Sequence, residues 1–375
     1  MAALLREMRN LGCEIHFASV RMGAEEKTAT RPLVDEWVWD FERTPPLRGL
    51  ARLQASLGYR IQRALHRLHL VKDKLDDLFC EPWLEEARQL QQKRQYSRVL
   101  IAYIHYSRIL EAFPNPCLRI VDTHDAYSLP RQKLPTEKSK EYLLSFTPAD
   151  ETRGLLRTQR IIAIQPKEAA YFQKLVGKSS KVYTVGHFAE TLRQPLPSAP
   201  FLRLGYLGSR KKSLGNSDSI QWFINRVFPL IRQQLPEVEL WLAGDPGSTP
   251  EVYPGVKILG PIANLMDFFE DCPVIINPAL TGTGLSIKAI ESLTHGRPII
   301  TTPVGVAGLE MFLGHGLFVC QSAEEFAQTA VNLLSNLPRA QQLGEESLRR
   351  AQNYLAENKQ ALAEVLAYPP TTAKE

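Results

Sequence analysis

The sequence predicts an α/β protein in which buried strands alternate with helices, and in which that alternation is played out twice. Three observations predict it. Short apolar, β-branched runs recur at 99–104, 118–121, 160–164, 181–185, 201–207, 238–243, 256–259, 274–280 and 299–302, as strands covered on both faces require. Stretches of helical length separate them, which is the pattern of crossover connections in a parallel sheet. Pro195, Pro197 and Pro200 interrupt the alternation once and read as a linker. A chain of 375 residues is the right size for two such domains.

Composition narrows the class. Hydrophobic residues make up 44% and charged residues 23%, which excludes a disordered chain. No apolar run is long enough to span a bilayer, and the opening Met1-Ala2-Ala3-Leu4-Leu5-Arg6 lacks the core of a secretory signal. Cys13, Cys80, Cys117, Cys272 and Cys320 are scattered, with no C-x-x-C. That speaks against disulfides or a zinc site and for a reducing cytoplasm. The net charge of +5 suits a phosphate-bearing ligand or an anionic membrane surface. No metal site and no nucleic-acid partner are expected.

In chain order, 2–11 read as a helix and 13–20 as a strand. A nucleotide-fold domain opens with a strand and a glycine-rich loop before its first helix, so the first strand of this domain is expected to be missing or to lie upstream. From 46 to 74, Leu50, Leu53, Leu57, Ile61, Ala64 and Leu68 recur at the helix period, with Arg52, Arg60, Arg63 and Arg67 mostly off that stripe. Two readings stand: a solvated face, or a contact for anionic lipid headgroups or an anionic acceptor through 47–74. The strands at 99–104 and 118–121 end in polar clusters, His105-Tyr106-Ser107 and Asp122-Thr123-His124-Asp125. Ligands in open α/β sheets sit beyond such carboxyl ends. The stretch 128–147 reads as a mobile loop.

The second domain holds the most informative stretch, 274–308. A buried strand runs into Thr281-Gly282-Thr283-Gly284-Leu285, then a helix carrying Lys288 and Glu291 and closed by Gly296, then a second strand. The glycines let backbone approach a ligand, and the helix N-terminus offers amides to a phosphate. Glu291, about two turns in, is placed to accept hydrogen bonds from sugar or ribose hydroxyls. A tight turn beside a solvated surface carboxylate explains the same spacing equally well. Helices are expected at 220–234, capped by Asn216, Ser217 or Asp218, at 265–270, at 323–334 and at 339–368.

Gly282-Thr283-Gly284-Leu285, Lys288-Ala289-Ile290-Glu291-Ser292-Leu293, Gly296-Arg297-Pro298-Ile299-Ile300 and Gly305-Val306-Ala307-Gly308-Leu309 together resemble the donor site of retaining glycosyltransferases of family 4. That resemblance implies the GT-B fold, two Rossmann-like domains facing across a cleft: 1–193 for the acceptor, 201–345 for the donor, and a helix at 346–375 returning toward the first. It implies transfer of a sugar, with retention, from a nucleotide-diphosphate sugar to a glycan, lipid-linked or other hydroxyl acceptor, without metal or cofactor. Relatives carry paired glutamates; Glu291 matches the second, and Thr283 stands at the first. They also place an arginine and a lysine after the first strand of the donor domain, where Ser209 takes the arginine's place here and Arg210 is its best substitute.

The implied donor site is therefore Arg210, Gly282, Thr283, Gly284, Leu285 and Glu291, with Gly244 and Ile262 bordering the base. The implied catalytic pair is His124, facing the sugar, with Glu291; His105 is the weaker histidine. In relatives a basic helix of the first domain often meets the membrane, which would make the protein peripheral at its inner face. The alternatives are a catalytically silent GT-B protein that binds a nucleotide sugar or glycan, and another GT-B enzyme such as a nucleotide-sugar epimerase or a phosphorylase.

Overall fold

In the computed structural model, which describes residues 1–20, 22–41, 75–76, 79, 81–129, 132–133, 146–191, 202–209, 214–245, 253–282 and 284–367, each apolar run named above contains a strand. The basic stripe at 47–74, the linker prolines, Arg210, Thr283 and most of 128–147 lie outside the described residues. The chain divides into two units, one of residues 1–129, 141–188 and 358–375, the other of residues 130–140 and 189–357.

The first unit opens on helix α1 (Ala2–Asn10), followed by β1 (His16–Val20), α2 (Ala24–Thr30) and β2 (Glu36–Phe41). After α3 (Glu81–Arg94) come β3 (Arg98–Ala102) and β4 (Leu118–Asp122). The two-residue β5 (Gln132–Lys133) belongs to the other unit. The first unit then resumes with α4 (Pro148–Leu155), β6 (Arg160–Ala163), α5 (Pro166–Val176) and β7 (Lys181–Thr184). Strands β3-β4-β6-β7 form one parallel sheet, while β1 and β2 pair in parallel as a separate two-stranded sheet.

Among the described residues the strands of this unit form two separate sheets. Residues of β1 (Phe17) and β3 (Ile101) both line a cavity of about 1390 Å³ whose wall also includes Leu4, Tyr103 and His124. Sequence reasoning had no strand at 36–41, although Glu36-Trp37-Val38-Trp39-Asp40-Phe41 alternates as a strand should.

The second unit contains β8 (Arg203–Leu207), α6 (Leu214–Trp222), α7 (Phe228–Gln234), β9 (Glu239–Ala243) and β10 (Val256–Gly260). Then follow α8 (Leu265–Asp271), β11 (Val274–Asn277), β12 (Thr281–Gly282), α9 (Ile287–Thr294), β13 (Ile299–Thr301), β14 (Leu317–Val319), α10 (Ala323–Ser335) and α11 (Leu337–Leu366). Its six-stranded sheet is parallel throughout, in the order β10-β9-β8-β11-β13-β14. Leu204, Leu240, Ile276 and Ile300 on one face meet Phe223, Phe228 and Phe326 from the helices, an all-apolar layer that accounts for the unbroken hydrophobic runs.

The helix expected at 220–234 begins earlier, at Leu214, and passes through a π-helical turn, Phe223–Val227, before α7. Pro229 has no N–H to give to the preceding turn, and the wider turn absorbs that loss. Asn216 is consequently inside the first turn rather than a cap, and its amide donates to the Ser209 carbonyl at 3.0 Å.

Helix α11 ends in the first unit, which includes it from Asn358. There Arg98 donates to the Leu366 carbonyl at 2.6 Å and Arg160 to that of Val365 at 2.7 Å, two cations on the orphan acceptors of a helix C-terminus. No helix among the described residues is long and apolar enough to cross a membrane.

Candidate functional site

Because the sheet of the second unit is wholly parallel, the carboxyl ends of its strands lie along one edge. Connections leave β8 toward β9 and β10 on one side and return to β11 on the other. The neighbours β8 and β11 are therefore the point where the winding reverses, and a doubly wound sheet opens its ligand crevice there.

The turns at that edge are built for close backbone approach. Gly244, just past β9, has φ +112, and a Cβ on it would stand 2.6 Å from the Gly208 carbonyl oxygen, so only glycine fits against the turn that follows β8. Ile262, half-buried, follows β10 at the far side of the sheet. Past β11, Asn277 donates to the Ser286 hydroxyl at 3.1 Å, and its carbonyl accepts from the Thr301 hydroxyl at 2.8 Å. The Leu280 amide donates to the Ser219 hydroxyl at 3.2 Å, which ties the turn after β11 to α6.

Gly282 lies in β12, which pairs antiparallel with β5. Gly284 is half-buried and Leu285 buried, so the leucine packs the turn from beneath. No side chain caps the N-terminus of α9; the amides of Ala289 and Ile290 already bond the Ser286 carbonyl, at 3.0 and 3.1 Å, which leaves those of Ile287 and Lys288 at the helix end to face a ligand. Glu291 is half-buried, one turn further along the same helix.

The side chain that sequence reasoning passed over is Lys288. Its ammonium donates to Asn216 Oδ1 at 3.0 Å and to the Tyr206 hydroxyl at 3.4 Å, and it stands 4.7 Å from the Tyr206 ring centre. It thus reaches from α9 back across the reversal point to β8 and α6. Burial pushes its pKa down to about 8. The signal was the residue type at its spacing from Glu291: three apart on a helix is one face.

Helix α9 ends as expected at Gly296, whose φ is +64. Gly296 N–H bonds the Leu293 carbonyl and Arg297 N–H the Ser292 carbonyl, at 3.2 and 2.9 Å, which is a Schellman cap. Arg297 is 1% exposed and donates to the carbonyls of Phe269 and His295. Burial lowers its pKa to about 10. Its role is to hold the ends of α8 and α9 together. Arg297→Met is expected to lower stability by about 2–4 kcal/mol, since two buried carbonyls lose their donor. Chemical denaturation reads the loss, and an unchanged midpoint would refute it.

In the first unit, His124 follows β4 with φ +60, and Tyr103 follows β3 with φ +69. Left-handed backbone at two non-glycine positions is uncommon and costs energy. Their rings stack at 4.4 Å between centres, and Tyr103 also stacks on His105 at 5.4 Å. His124 Nε2 is 3.4 Å from Asp122 Oδ2. Burial raises the Asp122 carboxyl above its ordinary range, offset by the charge of His124.

The loop beyond His124 hangs on buried Glu151, which accepts from the amides of Tyr127 at 2.9 Å and Ser128 at 3.1 Å and from the Ser128 hydroxyl. Sequence reasoning missed both Tyr103 and Glu151, because each acts through residues distant in the chain. Neither Arg210 nor Thr283 can be placed, being outside the described residues.

Residues 202–336 match the family model described as glycosyl transferases group 1. That match covers just over a third of the chain, all of it within the second unit. A protein of Klebsiella pneumoniae described as an uncharacterized 44.6 kDa protein in the cps region is 23% identical over 134 residues, 32% of this chain and 34% of that protein. The match spans about a third of the relative's length.

Among solved structures, sucrose-phosphate synthase from Thermosynechococcus elongatus has a TM-score of 0.64 at 15% identity, over 95% of this chain and 89% of that one. Anabaena HepE in complex with UDP and glucose has 0.64 at 14%, over 97% and 94%. The pneumococcal O-GlcNAc transferase GtfA, in complex with UDP and GlcNAc, has 0.55 at 16%, over 74% and 59%. At such identities the likeness establishes the fold: the chain has an α/β architecture with two parallel sheets that matches GT-B glycosyltransferase structures over most of its length.

Proposed function

We propose that the protein is a retaining glycosyltransferase that takes a sugar from a nucleoside-diphosphate sugar and passes it to the hydroxyl of a glycan or lipid-linked acceptor. The observation that carries this reading is the reversal point between β8 and β11, where glycine turns and the uncapped N-terminus of α9 meet at one edge of a group 1 domain. Backbone amides there suit the diphosphate, and Glu291 suits the ribose hydroxyls. The neighbours HepE and GtfA, each solved with UDP and a sugar, support the donor class. The cps-region description of the Klebsiella relative supports a polysaccharide acceptor.

In this reading the leaving diphosphate departs and the acceptor attacks on the same face, with phosphate oxygen receiving the acceptor's proton. The protein's contribution is to position both partners and to stabilise diphosphate charge. The family resemblance assigns His124 to the reacting sugar. A second reading, a protein that binds the donor without turning it over, is favoured by the divided sheet of the first unit.

Incubation with UDP-, GDP-, ADP- and dTDP-sugars separates the readings. Release of free nucleoside diphosphate with sugar appearing on an acceptor supports transfer; an altered sugar points to an epimerase, and binding without turnover to a silent protein. Glu291→Ala is expected to weaken nucleotide-sugar affinity about 10- to 100-fold, as loss of a charged hydrogen-bond acceptor does, with the melting temperature nearly unchanged. Equal affinity in titration calorimetry would remove Glu291 from the site.

A further inference from the structure

We propose that Lys288 is the cation that receives the donor's diphosphate in this chain. The proposal rests on the transferase reading above and adds to it a binding residue carried on a helix.

Position is the first argument. The parallel sheet reverses its winding between β8 and β11. Lys288 stands in the first turn of the helix that follows β11, and its ammonium touches Tyr206 of β8 and Asn216 in the first turn of the helix that follows β8. The charge therefore lies at the reversal point, with two helix N-termini beside it, where an anionic ligand of a doubly wound sheet is held.

Charge is the second. Among the described residues, the groups that bond the ammonium are neutral and no carboxylate forms an ion pair with it. Two helix N-termini add partial positive charge to the same place. A shielded cation without an anion is costly, and a methionine would fill the same space without that cost. A diphosphate supplies the absent negative charge.

Room is the third. Gly208 faces this group: a Cβ there would stand 3.0 Å from the Tyr206 hydroxyl and 3.3 Å from Lys288 Nζ. Glycine leaves the approach to the ammonium open, and Gly244 packs against the Gly208 carbonyl to fix that turn. Phosphate oxygens entering over Gly208 would meet the ammonium together with the amides of Ile287 and Lys288 at the start of α9.

The test uses the full chain and its Lys288→Met and Lys288→Arg variants, titrated with UDP and with uridine. Lys288→Met is expected to bind UDP about 10- to 100-fold more weakly, with uridine affinity within about twofold of wild type, because only the diphosphate meets the lysine. Lys288→Arg should retain part of the UDP affinity. Wild-type affinity for UDP should fall as pH rises past about 8, where the lysine loses its proton, and Lys288→Met should show no such fall.

Without nucleotide the sign is opposite. Between pH 8 and 10.5 the folded wild type binds fewer protons than the unfolded chain, so its stability rises with pH across that window. Below it, Lys288→Met should melt no lower than wild type. Undiminished UDP affinity in Lys288→Met, equal losses for UDP and uridine, or a wild-type UDP affinity flat from pH 7 to 9 would each overturn the proposal. A wild type that binds none of UDP, GDP, ADP and dTDP would instead overturn the transferase reading itself.

Discussion

His124→Ala is expected to reduce sugar transfer by about 10²- to 10⁴-fold, the range lost when a positioned polar group is removed from a reacting centre. The structure gives a physical reason for looking there. The residue holds a left-handed backbone, φ +60, which a glycine would occupy at no cost, yet an imidazole stands there. Tyr103, itself at φ +69, stacks on that imidazole, and Asp122 lies 3.4 Å from its Nε2. Two strained residues at the ends of adjacent strands, locked face to face, fix the direction of one ring. His124→Gly removes the ring and relieves the backbone together. It should match His124→Ala in lost transfer while melting at least as high, and both should bind UDP like wild type. Transfer at half the wild-type rate in His124→Ala would reduce His124 to a support of its loop.

Gly344→Ala is expected to destabilise the second unit by about 3 kcal/mol or more, near the upper end for an overpacked core. Gly344 lies inside α11. A Cβ there would fall within the van der Waals surface of the Gly296 carbonyl oxygen and 3.0 Å from the Gly296 carbonyl carbon. Helix propensity favours alanine by about 1 kcal/mol, so the two effects oppose each other. Packing wins, because the obstacle is backbone and that backbone is itself fixed: Gly296 carries the left-handed cap of α9. For a unit of this size the loss corresponds to about 6–12 °C in melting temperature. The displaced cap would also shift α9, so Gly344→Ala should weaken UDP binding although it lies outside the site. A melting temperature within a degree of wild type would show that α11 can slide away from Gly296.

These expectations also mark what was legible. Gly296 could be read as a helix end because a positive-φ residue after a run of helical period is a local requirement. Gly344 could not: inside a helical pattern it reads as a mild cost, and the carbonyl it accommodates lies 48 positions earlier in the chain (344 minus 296). Lys288 and Arg297 stood in full view in the central motif, yet one reaches across the winding reversal and the other ties two helix ends together. Tyr103 and Glu151 act on a loop from other elements. The start of α6 was misplaced because polar residues that cap helices also serve within a first turn, as Asn216 does when its amide goes to Ser209.

By itself the sequence determined two alternations of buried strand and helix, the glycine turn and helix after β11, and the polar clusters after β3 and β4. All of these follow from periodicity and backbone permission, which are local. Only the tertiary structure decided the strand order, and with it the reversal point that brings Lys288, Tyr206 and Asn216 together. It also decided the separation of β1 and β2 from the four-stranded sheet, and the crossing of two glycines that leaves no room for a methyl group. Sheet order depends on which long-range pairings close best, and no window of sequence contains both partners of such a pairing.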